Sequence, residues 1–83
     1  METIVIEVYL PALCRSFDVR VPKGMNTLLC ANLTAKALSS LTGGQYQASR
    51  SSIFAWRANG ALLDTHRSME KAKVCNGSKL LLI

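Results

Sequence analysis

The stretch VCNGSKLLLI, residues 74–83, combines a turn pair, Asn76-Gly77, with an unbroken apolar run from Leu80 to Ile83 that holds neither Gly nor Pro. Lys79 to Ile83 therefore reads as a strand, with Leu80 and Leu82 facing in and Leu81 and Ile83 facing out. A strand this apolar needs a partner that is also buried. The other end of the chain supplies one: in TIVIEVYL (3–10), Ile4, Ile6, Val8 and Leu10 share one face and Thr3, Val5, Glu7 and Tyr9 the other. The two are expected to run parallel at the centre of a sheet, which demands a long crossover between them.

The intervening chain has the elements for that crossover. After Pro11, a second alternation in SFDVRV (16–21) puts Phe17, Val19 and Val21 inward, so the first two strands form a hairpin. Pro22, Lys23 and Gly24 break the pattern, and Asn26 or Thr27 can cap a helix that runs to Thr42 and ends at Gly43-Gly44. On that helix Leu29, Cys30, Leu33, Ala37 and Leu41 form the expected core stripe. Leu28, Ala31, Ala35 and Leu38 form a second apolar stripe, expected on the outside, where it could pack against another copy or a partner helix. The plainer reading is that the alanines are simply good helix formers. Residues 45–52, carrying Tyr46 and Arg50, read as a mobile loop. In SIFAWRA (52–58) Phe54 and Trp56 face in and Ile53, Ala55 and Arg57 out, before Asn59-Gly60 turns the chain into a stub at Ala61 to Leu63. Asp64 to Lys73 is polar around one apolar anchor, Met69, and Val74 re-enters the core.

At 83 residues the chain is one domain, 1–83, with a single small core and no room for a deep cleft. One helix over four to five mixed strands predicts an α+β layer pair. No window suits a membrane span, and METIVIEV lacks the basic flank of a secretion signal, so a cytoplasmic protein without direct membrane insertion is expected. Cys14, Cys30 and Cys75 are odd in number and widely spaced, which argues against a disulfide framework or a zinc site and for reduced, partly buried thiols.

The net charge of +5 raises the question of nucleic acid. Arg50, Arg57, Arg67, Lys71, Lys73 and Lys79 all follow Gly44, against only Asp64 and Glu70. They are scattered singly, however, with only Tyr46 and Trp56 nearby for base stacking, which predicts a solvated basic face and no specific nucleic-acid site. Catalysis finds no constellation either. His66 and Cys75 are the only conceivable base and nucleophile, and nothing in their spacing joins them. No cofactor, metal or catalytic residue is expected.

The element order resembles the β-grasp fold of ubiquitin. Laid without gaps, LDTHRSMEKAKVCNGSKLLLI (63–83) is similar to ubiquitin's last stretch: Arg67 coincides, Ser68 replaces threonine, Met69 leucine and Val74 isoleucine, and Leu80 and Leu82 match inward leucines. In ubiquitin and the β-grasp sulfur carriers a flexible Gly-Gly tail is activated by adenylation. Here the sequence stops where that tail would begin, and Gly43-Gly44 is internal, so conjugation and sulfur carriage are not expected. FDVRVP, GALLD and AKVCNGSKLLLI together look like the tail-less ubiquitin-like proteins of bacterial type VII secretion, the YukD and EsaB group. Lys73 stands where that group tends to have glycine. The resemblance implies a small accessory or adaptor that acts by binding protein partners. Its recognition surface would be the outer sheet face of Val5, Ile53, Ala55, Leu81 and Ile83, edged by Arg57, where ubiquitin has its central isoleucine. The helix stripe of Leu28, Ala31, Ala35 and Leu38 is the second candidate, with a homodimer as one outcome.

Overall fold

A computed structural model describes residues 2–46 and 52–83. Its elements are β1 (Thr3–Leu10), β2 (Arg15–Pro22), α1 (Thr27–Leu41), β3 (Phe54–Trp56) and β4 (Lys79–Leu82). They form a four-stranded sheet in the order β2-β1-β4-β3. The terminal strands are parallel neighbours at its centre, Val8 opposite Leu80, while β2 and β3 join them antiparallel. The expected stub is reduced to one bridge, Ala55 to Leu62. The mixed sheet with one helix is the ubiquitin-like β-grasp arrangement.

The β1 and β4 registers are as the alternation predicts. Ile6, Val8, Leu10 and Leu80 are fully buried, and Leu82, Ile4, Phe54, Leu63, Met69 and Val74 complete the core beside them. Asn76 and Gly77 do more than turn the chain. The Asn76 side-chain oxygen accepts from Val5 N–H at 2.8 Å, Gly77 N–H donates to Val5 C=O, and Glu7 N–H donates to Ser78 C=O. The turn thus extends the parallel ladder by two rungs before β4 begins, and Gly77 does so at φ +87°, a conformation that a side chain would strain.

The helix starts and stops as read. Asn26 Oδ1 accepts from Leu28 and Leu29 N–H at 2.9 and 3.1 Å. At the other end Gly43 N–H donates to Ser40 C=O and Gly44 N–H to Ser39 C=O, a Schellman cap. The segment after Leu63 is stapled to the helix start: Thr27 Oγ1 donates to Asp64 C=O at 2.8 Å, Thr27 N–H to Arg67 C=O, and Asn26 Nδ2 to Thr65 C=O. Met69 is thereby pulled fully under the sheet.

Of the helix stripe expected in the core only Cys30 is buried, and Ala37 is exposed. The buried set is Thr27, Cys30, Ala31, Thr34, Ala35 and Leu38, whereas Leu29, Leu33 and Leu41, expected in the core, are 51%, 45% and 69% exposed. The stripe expected outside is the inner one, apart from Leu28 at its margin. Close packing is the cause. Small side chains let the helix axis approach the sheet, and bulky leucines on that face would hold it off. Ala55 is a second correction. By the alternation it belongs to the outer face, yet it is fully buried, and its cross-strand neighbours Leu81 and Leu62 are both larger. Of the cysteines only Cys30 is buried, which pushes its thiol pKa up, while Cys14 and Cys75 are exposed. The loop at 45–52 lies largely outside the described residues, Arg50 with it.

Candidate protein-binding surfaces

On the outer sheet face, the strand pleat carries Val5 and Tyr9 from β1 and Leu81 from β4, all half-buried, with Ile53 beside β3 and Ile83 more than half exposed beyond β4. Sequence reasoning put Arg57 at the edge of this patch. In the structure its side chain reaches across it. Arg57 follows β3 and donates its backbone N–H to Lys79 C=O, and its guanidinium lies 4.4 Å from the centre of the Tyr9 ring. Nη1 is 3.0 Å from Glu7 Oε2 and 3.5 Å from Ser16 Oγ. One side chain therefore spans from β3 across β4 to β1 and β2. The surface is consequently a mixed one: a planar cation held by an aromatic face and a carboxylate, with Val5, Leu81, Ile53 and Ile83 around it. That combination can take a partner with both apolar and acidic or carbonyl groups.

The helix candidate does not survive as predicted. Ala31, Ala35 and Leu38 are occupied by the core, and of the four residues only Leu28 reaches solvent, at 38% exposure. The exposed apolar helix surface is instead Leu29, Leu33 and Leu41, spaced in multiples of four. The 27-30-31-34-35-38 spacing was a legible signal for the inner face, provided that side-chain size was weighed along with hydropathy.

A polar cleft of about 590 Å³ opens where residues 64–71 pass the helix start, lined by Gly24, Asp64, His66, Arg67, Ser68 and Lys71. The His66 backbone N–H donates to Asp64 Oδ1 at 2.9 Å and Arg67 Nε to Oδ2 at 3.2 Å, and these hold the Asp64 carboxyl below its ordinary pKa. Cys75 lines a different cleft and contacts Ser78 Oγ at 3.5 Å, so His66 and Cys75 are not brought together. The described residues contain no group of three His, Cys, Asp or Glu side chains placed for a metal ion, and no helix long and apolar enough to cross a membrane. Among the described residues, three of the cations are engaged by carboxylates: Lys23 by Glu2 and Glu70, Arg57 by Glu7 and Arg67 by Asp64.

No protein-family model matches the sequence, and the comparison with curated proteins finds no match. Solved structures do match over the whole chain. The ubiquitin-like domain of the type VII secretion system protein EccD1 from Mycobacterium tuberculosis superposes with TM-score 0.80 at 21% identity, covering 100% of this chain and 99% of that one. The EccD5 ubiquitin-like domain from Mycobacterium xenopi gives 0.82 at 12% identity, with 100% and 94% covered. A chain of the MycP5-free ESX-5 inner membrane complex gives 0.81 at 15% identity, and there this chain spans only 21% of its counterpart. At these identities the likeness establishes the fold, and the chain is a ubiquitin-like β-grasp domain.

Proposed function

We propose that this domain is a non-catalytic, protein-binding adaptor that serves a type VII secretion system on the cytoplasmic side. The observation that carries the reading is the superposition of the whole chain on the ubiquitin-like domain of a type VII secretion system protein, and on part of a chain of the ESX-5 inner membrane complex. The recognition surface in this reading is the outer sheet face, with Leu81 and Ile83 as apolar anchors and Arg57, pre-positioned by Tyr9 and Glu7, as the polar one. Arg57 loses little freedom on binding because its guanidinium is already held, and that favours it as an anchor.

A photo-crosslinking amino acid at position 81, in cells of the organism that encodes the protein, tests this. Adducts with secretion-complex components at position 81, absent when the same group stands at Lys71, are the expected result. Abundant, folded protein with no such adduct refutes it.

A further inference from the structure

The chain carries two Asn-Gly pairs, Asn59-Gly60 and Asn76-Gly77, each with its glycine in the left-handed region, at φ +72° and +87°, and both asparagines are exposed. In such a pair the glycine nitrogen has no Cβ beside it and can attack the asparagine side-chain carbonyl carbon. The bond from the glycine nitrogen to Cγ forms, the bond from Cγ to the amide nitrogen breaks, and ammonia leaves with the proton of the glycine nitrogen, which closes a succinimide. Water then opens the ring at either carbonyl and gives aspartate or isoaspartate. One water enters and one ammonia leaves, with no oxidation. Sequence and exposure give the two pairs the same reactivity, and only their hydrogen bonds tell them apart.

At Asn76 both reacting groups are held by another strand. Oδ1 accepts from Val5 N–H at 2.8 Å and Gly77 N–H donates to Val5 C=O at 2.8 Å, so attack requires these bonds between the two ends of the chain to part. They continue the ladder of β1 with β4 at the sheet centre, whose opening approaches global unfolding. At Asn59 the bonds are local. Oδ1 accepts from Ala61 N–H at 2.9 Å, an Asx turn that folds the side chain forward across Gly60, and Gly60 N–H donates to Trp56 C=O at 2.7 Å within the same loop. That loop follows a three-residue strand at the sheet edge and can open without parting the central strands. We infer that Asn59 is a site of spontaneous deamidation in the folded protein and that Val5 protects Asn76 from the same reaction. The product places a carboxylate two residues from Arg57 and lowers the net charge of +5 by one. Its isoaspartyl form also adds one main-chain atom to the loop between Trp56 and Ala61, whose backbones are bonded at 2.8 Å. The consequence for partner binding rests on the sheet-face reading, whereas the chemistry does not.

The test is incubation of the purified, folded chain in warm, mildly alkaline buffer, with peptide mapping by mass spectrometry over time. Expected is conversion of amide to acid at Asn59 at least about tenfold faster than at Asn76, the factor that accompanies each about 1.4 kcal/mol by which opening the central ladder exceeds opening the loop. In concentrated urea, with neither Val5 nor Trp56 in place, the two sites should convert at similar rates. Hydrogen exchange on the folded protein should find the Gly77 amide slower than that of Gly60. Asn59→Gln should remove the early conversion. The inference is overturned if Asn76 converts as fast as Asn59 in the folded chain, if Asn59 stays an amide until the chain unfolds, if the preference persists in urea, or if Gly77 exchanges faster than Gly60. These readouts need no partner, so their failure is distinct from a failure to find adducts at position 81.

Discussion

Lys73 has φ +70°, in the left-handed region, where its helical turn closes with Lys73 N–H on Glu70 C=O and Val74 N–H on Met69 C=O. A side chain in that conformation costs about 1–2 kcal/mol relative to glycine. Glycine returns part of the gain, about 0.5–1 kcal/mol, through its freer unfolded chain. Lys73→Gly should therefore stabilise the domain by about 0.5–1 kcal/mol. With about 2.1 cal/mol/K per residue over 83 residues, the unfolding entropy is about 0.17 kcal/mol/K, and the midpoint should rise by about 3–6 °C. Lys73→Ala is the control. It removes the same charge and the same stem but keeps Cβ, so it should stay close to wild type. Thermal unfolding of the three proteins by circular dichroism at one concentration decides the matter. If the glycine variant melts no higher than the alanine variant, backbone strain at residue 73 is not stored in the fold, and the physical case for glycine at this position falls with it.

Three further outcomes follow from burial and charge. Ala35→Glu should unfold the domain, because an unpaired carboxylate at a fully buried site costs more than the about 5–15 kcal/mol that a small fold commands, while Leu29→Glu should leave the circular dichroism unchanged. The same contrast one residue apart checks the last strand: Leu80→Glu should unfold the protein and Leu81→Glu should shift stability only slightly, and equal damage from both would show the register to be wrong. The His66 N–H and Arg67 hold the folded pKa of Asp64 below the ordinary aspartate value, so its contribution is present above that ordinary value and is lost as pH falls through the lower, folded one. Urea midpoints of wild type and Asp64→Asn should therefore differ at pH 5 and converge toward pH 2, and a difference that persists in acid would contradict the assignment.

Much of this architecture was legible in the residues alone, and the reason is local. A strand with one buried face must alternate, so TIVIEVYL and KLLLI announced their inward residues. Asn26 and Gly43-Gly44 bounded the helix because unsatisfied backbone groups at helix ends need such partners. Parallel central strands followed from two strongly apolar runs at opposite ends of the chain with a helix between them. The helix faces were not legible in hydropathy, since apolar side chains surround the axis and only Lys36 is charged. What separated Ala31 and Ala35 from Leu29 and Leu33 is how near the helix must lie to the sheet, a distance that exists only once both layers are packed.

The candidate surfaces depended on tertiary structure even more. Arg57 is a lone cation in sequence, and its passage over Tyr9 to Glu7 joins positions 50 residues apart that only the sheet order brings together. Ala55 is fully buried on β3, which has the Leu62 bridge beside it, whereas Phe17 and Val19 stay half-buried on β2, the sheet edge. The sequence by itself determined which residues alternate, where the helix begins and ends, and that the terminal strands meet. Which apolar groups remain on the surface was decided by the packing distance between helix and sheet and by which strand became the edge, both of them properties of the assembled layers and of no single segment.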